Sequence, residues 1–368
     1  MTDSSAFPGL VRLIEEGIEQ QWHHGVQVYI SQHGTVLADF AVGHNAPDDP
    51  LRSDTQMLWL SSGKPITAAA ILKLQEFGLL SVHDRVTRYV PEFGAEGKED
   101  ITLWHLLTHT AGLKSILLNW KEMSWDEVIS RISRLRQQTG WSSGNQGAYD
   151  PGRSWFILAE IMQRVTGLTI TEYLRSELLA PLGMDRSRLA FTESEFAAHA
   201  AQLGIMYAQK EGQLEATAAH HWETCKLPSP GSSLRGPAAD LGKFYEMLLR
   251  EGATAYGRQL LSPETIRDMT SRHRTGIHDG TFQHVVDFGL GIIINSSQYG
   301  ARTVPYGFGL HASADSFGHG GSQSSIGFAD PQHQLVVVMI ANGYPGDAVH
   351  HRRFLELTTQ VYEELGLS

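Results

Sequence analysis

The sequence predicts an α/β fold of the α+β type, in which an antiparallel sheet built from both termini is flanked by helices and carries an inserted, mostly helical lobe. Three observations lead there. Apolar residues alternate near the N-terminus, short apolar runs bounded by turn residues recur near the C-terminus, and the long stretch between them is spaced as helices.

Phe7, Leu10, Val11, Ile14 and Ile18 mark one face of an opening helix. Val26, Val28 and Ile30 alternate as a strand, His33-Gly34 turns the chain, and Thr35 to Gly43 returns as the second arm of a hairpin. From Ser61 to about Trp222 the pattern is mostly helical. Gly289 to Asn295, Ser324 to Ala329 and Leu335 to Ala341 read as strands, the last two joined by Asp330-Pro331-Gln332-His333. Phe354, Leu357, Val361 and Leu365 give a closing amphipathic helix. The expected organisation is one domain over residues 1–368, with a sheet region at 1–60 and 235–368 and a mainly helical region at 61–234. The cleft between the regions is the natural site, and Arg274 to Phe317, rich in Gly and His, is expected to line it.

Composition narrows the function. The chain is 368 residues long, 41% hydrophobic and 19% charged, enough for a large core. A net charge of -11 argues against a nucleic-acid partner. Cys225 is the only cysteine, so no internal disulfide or thiolate cluster can form, and a packed thiol is expected. The opening Met-Thr-Asp-Ser-Ser-Ala-Phe-Pro lacks the basic start and apolar run of a secretory signal, and Leu335 to Ala341 is too short to span a bilayer. A cytoplasmic protein without a membrane partner is expected. The pairs His23-His24, His220-His221 and His350-His351 are scattered and no His-Glu-x-x-His occurs, so solvated histidines, no metal and no cofactor are expected. Gly-x-Ser-x-Gly is absent as well.

The chemistry starts at Ser61-Ser62-Gly63-Lys64, followed at once by the helix-forming run Pro65 to Gly78. A serine and a lysine three residues apart on one helix share a face, within reach for the hydroxyl to pass its proton to the amine. Unpaired N–H groups at a helix start favour developing negative charge, and a first-turn proline costs no helical hydrogen bond.

Four further segments follow in order: Ile101 to Leu113 with its Thr-His-Thr-Ala-Gly, Tyr149-Asp150-Pro151, Gly231 to Asp240, and Gly318-His319-Gly320-Gly321-Ser322. Together with Ser-x-x-Lys they resemble the serine β-lactamase and penicillin-binding-protein superfamily, specifically its class C β-lactamase-like branch with family VIII carboxylesterases, peptidases and acyltransferases. The resemblance implies a β-lactamase/transpeptidase-like fold and makes Ser61 the acylated nucleophile and Lys64 its general base. Burial and neighbouring positive charge would have to lower the lysine pKa for that role. Tyr149 would relay protons to the leaving group. The backbone N–H groups of Ser61 and Ser322 would form the oxyanion hole. His319 would orient substrate or support Tyr149, changing charge near neutral pH, while Gly320 and Gly321 would let substrate approach the strand. His109 is expected to tie a helix end to the core, with Gly112 as the helix stop.

The second motif departs from the usual Tyr-x-Asn, because Pro151 stands at its third position and offers no carboxamide to hold an amide substrate. Asp150 either accepts a proton or a substrate hydrogen bond, or is a turn residue. The expected function is therefore cleavage of a small ester, amide or peptide through a Ser61 acyl-enzyme, esters favoured over β-lactams. Transfer of the same acyl group, as an acyltransferase or peptide cyclase, and a silent binding scaffold are the alternatives. Oligomeric state is not readable from the chain.

Overall fold

A computed structural model describes residues 4–116 and 118–368. Residues 1–3, within the opening stretch considered above as a secretory signal, lie outside the described residues.

The hairpin forms where the turn chemistry puts it. His33 (φ 49°) and Gly34 (φ 75°) both adopt the left-handed conformation that a two-residue hairpin turn demands. They join β1 (Gly25–Gln32) to β2 (Thr35–Ala46), with Val28 opposite Phe40. The remaining sheet strands are β3 (Asp49–Pro50), β4 (Asp287–Phe288), β5 (Ile293–Ile294), β6 (Phe317–Gly321), β7 (Ser325–Asp330) and β8 (Leu335–Ala341). The spatial order is β4-β5-β6-β7-β8-β1-β2-β3, antiparallel throughout. The two termini meet where β1 pairs with β8, Val28 facing Met339.

Because β8 is central, all seven of its residues are buried. Val336, Val338 and Ile340 join the core beneath α5 (Ala238–Leu249), and Leu335, Val337, Met339 and Ala341 join a second core under α1 (Pro8–Glu19) and α6 (Asp347–Glu364). An uninterrupted apolar run is what a strand covered on both faces requires.

Between the sheet segments lie α2 (Lys64–Glu76), buried from Lys64 through Leu74, α3 (Leu103–Leu107) and α4 (Arg153–Thr166). Gly167 (φ 72°) closes α4 in the left-handed conformation. Among the described residues no helix is long and apolar enough to cross a membrane.

Two elements differ from expectation. The strand read over Gly289 to Asn295 shrinks to Ile293–Ile294, because Leu290 and Gly291 donate their N–H groups to the carbonyls of Met269 and Leu107 rather than to a strand. Gly291 (φ 71°) also lies so close to Ala68 that a side chain would collide. Inside the segment read as helical, Tyr207–Lys210 and Gln213–Ala216 form a hairpin that adds Gly343–Tyr344 as a third strand. The histidine pairs are not all solvated either. His23 is wholly buried between the Ile14 carbonyl (3.1 Å) and Arg353 (2.9 Å), and His350 is buried at the start of α6. Cys225 is buried as a free thiol.

Candidate active site

Ser61 sits in a 3-10 turn, Leu60–Gly63, and Lys64 is the first residue of α2. In a 3-10 turn, side chains three residues apart eclipse, which brings Lys64 Nζ to 2.8 Å from Ser61 Oγ. The turn is entered through Leu60, whose φ of 52° is unusual for a branched residue. Such strain persists only where surrounding contacts over-determine it. Here Trp59 supplies them: its N–H reaches the Leu234 carbonyl (2.9 Å), its indole N–H the Gly236 carbonyl (2.8 Å), and its carbonyl accepts from Ser325 (2.6 Å).

Lys64 is fully buried and its second hydrogen bond goes to the Gly231 carbonyl at 2.7 Å. Burial lowers its pKa to about 7, and the charge of Asp150 opposes that shift. Desolvation does what the sequence reading had shared with neighbouring positive charge. Among the described residues no carboxylate lies within ion-pair distance of this ammonium. Thr67, one turn on, bonds the Pro230 carbonyl (2.8 Å), so the Pro230-Gly231 stretch docks along the start of α2.

Tyr149 donates its phenol to Ser61 Oγ at 2.8 Å, so the hydroxyl of Ser61 is engaged from two sides. Burial pushes the phenol pKa well above its ordinary value, keeping the proton on oxygen. The ring stacks on Phe282 with centroids 4.5 Å apart. A buried carboxylate fixes this arrangement: Asp279 accepts the N–H groups of Tyr149 (3.0 Å), Thr281 (2.8 Å) and Phe282 (3.0 Å). Its charge is met by Arg274 at 2.9 Å, both side chains being wholly buried. Sequence reasoning missed this pair, since nothing local marks Asp279 as belonging with Tyr149, 130 positions earlier.

Asp150 faces the other way. Its two oxygens accept from the N–H groups of Gly152, Arg153 and Ser154, the Ser154 hydroxyl and the Arg153 guanidinium, so the carboxylate caps the start of α4 and is absent from the lining of the Ser61 cavity. The turn-residue reading describes this geometry. His109 (φ 56°) is the first left-handed residue after α3, three positions ahead of Gly112 (φ 65°), which is left-handed as well. Gly112 also makes room for Trp141, whose ring a side chain there would strike. The His109 ring accepts the Asp150 N–H (3.0 Å) and its carbonyl accepts the Ala148 N–H (3.0 Å), bracing Tyr149 on both sides.

The third wall is β6. Ser62 Oγ donates to the His319 carbonyl (3.1 Å), tying the Ser61 turn to the strand. A side chain on Gly321 would collide with the Trp59 carbonyl and Ser325, so this glycine is required by the turn beneath it. His319 is 1% exposed, with Nδ1 2.8 Å from the Gly320 carbonyl. A carbonyl only accepts, so Nδ1 carries the proton and Nε2 presents a lone pair that no group among the described residues meets. Burial, then the charge of Lys64, lowers its pKa to about 3, so the charge change expected near neutral pH does not occur there. Ser61, Tyr149, His319, Gly320, Gly321 and Ser322 together line one cavity of about 410 Å³.

The beta-lactamase family model matches residues 10–360 of the chain. The chain belongs to the beta-lactamase family. Within it, the chain is similar to esterase EstB of Burkholderia gladioli, 27% identical over 296 residues that cover 72% of this chain and 74% of the esterase. Penicillin-binding protein 4* of Bacillus subtilis (strain 168) is 26% identical over 171 residues, 44% of this chain and 37% of its own length. The chain thus spans only about a third of the length of that relative. Among solved structures, a penicillin-binding-protein homologue from Caulobacter crescentus superposes with TM-score 0.80 at 22% identity, covering 98% of this chain and 97% of its own. A hydrolase with promiscuous acyltransferase activity, EstCE1, superposes with TM-score 0.80 at 21% identity, covering 98% and 99%. These superpositions show a beta-lactamase fold. A family VIII carboxylesterase has the same fold, with TM-score 0.76 at 23% identity, covering 96% of each chain.

Proposed function

We propose that this beta-lactamase-family protein is a serine esterase that works through a Ser61 acyl-enzyme. The observation that carries the reading is the pair of 2.8 Å contacts that Lys64 and Tyr149 make to one hydroxyl. With Lys64 uncharged, its lone pair takes the Ser61 proton as Oγ forms a bond to the substrate carbonyl carbon, while an N–H of Lys64 stays on the Gly231 carbonyl. The resulting oxyanion would be held by the N–H groups of Ser61 and Ser322. When the ester C–O bond breaks, the leaving alkoxide takes a proton from Tyr149, and the Lys64 ammonium restores it. Water then repeats the sequence on the acyl-enzyme. An alcohol or amine in its place gives transfer, and the similarity to EstCE1 is the observation that favours this second reading.

Esters suit the site better than β-lactams. Pro151 stands where an amide-binding carboxamide would, and an alkoxide needs less assistance to depart than an amine. The direct test is a fluorophosphonate probe followed by intact mass. The wild type should gain one adduct and Ser61→Ala none, and equal labelling of both would remove Ser61 from the mechanism.

A further inference from the structure

Beyond the nucleophile, the Ser61 cavity is lined by Phe282, Val304, Tyr306, Asp347, His350 and His351, among others. Rings run along one side in contact: Tyr149 on Phe282 (4.5 Å), Phe282 against Tyr306 (6.3 Å) and Tyr306 against His351 (5.8 Å). The Tyr306 hydroxyl is fixed on the Phe282 carbonyl at 3.1 Å, so this wall is held in place. At the wall's far end stands Asp347, exposed, the first residue of α6. Among the described residues no hydrogen bond or ion pair engages its carboxylate, and its charge is felt at His351 and Tyr306.

The charge balance of the lining is one-sided. Among the described residues Asp347 is its only carboxylate, and no lysine or arginine belongs to it. Arg302, on the same loop as Tyr306, does not line the cavity, and Arg352 is paired with Glu356. Burial lowers the pKa of both His350 and His351, leaving those rings uncharged at neutral pH. A helix start favours an acidic residue on its own account. What distinguishes Asp347 is that it shares the Ser61 cavity with an aromatic wall, while Lys64, over the Tyr149 ring at 5.4 Å, and Arg353, whose charge reaches His350, are buried outside the lining. A carboxylate beside electron-rich rings is the surrounding that holds an ammonium group.

We propose that the cavity selects ester substrates bearing a cationic ammonium group, in the acyl or the alcohol portion, which Asp347 holds against the aromatic wall of Tyr149, Phe282 and Tyr306. This rests on Ser61 being the acylated residue. Asp347 is then a specificity-determining residue, and anionic esters are the disfavoured class.

Two matched ester series test it. In the first, the p-nitrophenyl ester of γ-trimethylammoniobutyric acid is compared with its neutral tert-butyl isostere and with an anionic glutaric half-ester. In the second, butyrylcholine is compared with its tert-butyl isostere. The expected wild-type preference in kcat/KM for cation over isostere is about three- to tenfold in at least one series. It should fall to near one in Asp347→Asn and invert toward the anionic ester in Asp347→Lys. Comparing ratios across variants removes the intrinsic reactivity of each ester. The same cation-to-isostere ratio in wild type and Asp347→Asn, or a wild-type preference for the anionic ester, overturns the proposal while fluorophosphonate labelling of Ser61 still stands. Loss of labelling together with absence of turnover in both series overturns both readings.

Discussion

In the proposed mechanism Lys64 sets the chemistry, because an amine without a proton is the only form that can accept one from Ser61. Its pKa of about 7 means activity should rise with pH through that value, as the free base accumulates, and a pH profile of kcat/KM on a neutral ester would show it. The same group acts on stability with a definite sign. Below pH 7 the lysine is protonated in both folded and unfolded chains, and the fold bears the full cost of a buried ammonium. Between that value and the ordinary lysine range, the unfolded chain holds a proton that the folded chain has lost, so stability climbs with pH. Lys64→Met should therefore be stabilised relative to wild type most at low pH, the margin shrinking toward pH ~10. Melting temperatures of the two proteins across that range check it. Tyr149→Phe leaves Ser61 without its second partner and the leaving group without an acid. A loss of about 10²- to 10³-fold in kcat with a small change in KM is expected, and a KM effect alone would assign the phenol to binding.

Two contacts between elements hold these side chains in register. The buried Arg274–Asp279 pair anchors Tyr149 and Phe282 through three backbone N–H groups. Asp279→Ala leaves Arg274 as an uncompensated buried charge, with an expected cost of about 3–5 kcal/mol in denaturant unfolding. Activity should be lost in the part of the population that stays folded. Gly321→Ala drives a methyl into the Trp59 carbonyl at the base of the strained Leu60 turn. Fluorophosphonate labelling of the folded variant should slow by tenfold or more, at an order-of-magnitude level, because displacement of a nucleophile by about an ångström is costly. Unchanged labelling would show that β6 and the Ser61 turn move together.

The whole molecule brings the site together at a seam. Ser61, Lys64 and Tyr149 come from the largely helical stretch, His319 to Ser322 from the sheet, and Phe282 and Tyr306 from the loop region between β4 and β6 and the segment before it. Short-chain chromogenic esters should be turned over, and nitrocefin at least about a hundredfold more slowly, an order-of-magnitude figure for a missing polar contact to the amide. Fast nitrocefin turnover would show that Pro151 matters less than its position suggests.

The main strands were readable because alternation and turn residues are local signals: His33-Gly34 adopts the conformation a hairpin needs, and the run Leu335 to Ala341 is as apolar as a doubly covered strand requires. Gly289 to Asn295 misled because Gly291 answers to Ala68, far away in sequence. The pairing of Ser61 with Lys64 was likewise written in spacing, since any tight helical turn eclipses residues three apart. What the sequence alone determined was therefore the candidate serine, the amine beside it and the strands at both ends. Only the tertiary structure decided their surroundings: burial lowered the pKa of Lys64 and of His319, Asp150 was drawn into capping α4, and Asp279 reached Tyr149. Periodicity is a property of neighbours along the chain, whereas desolvation and hydrogen-bond partnership come from residues that folding alone brings near.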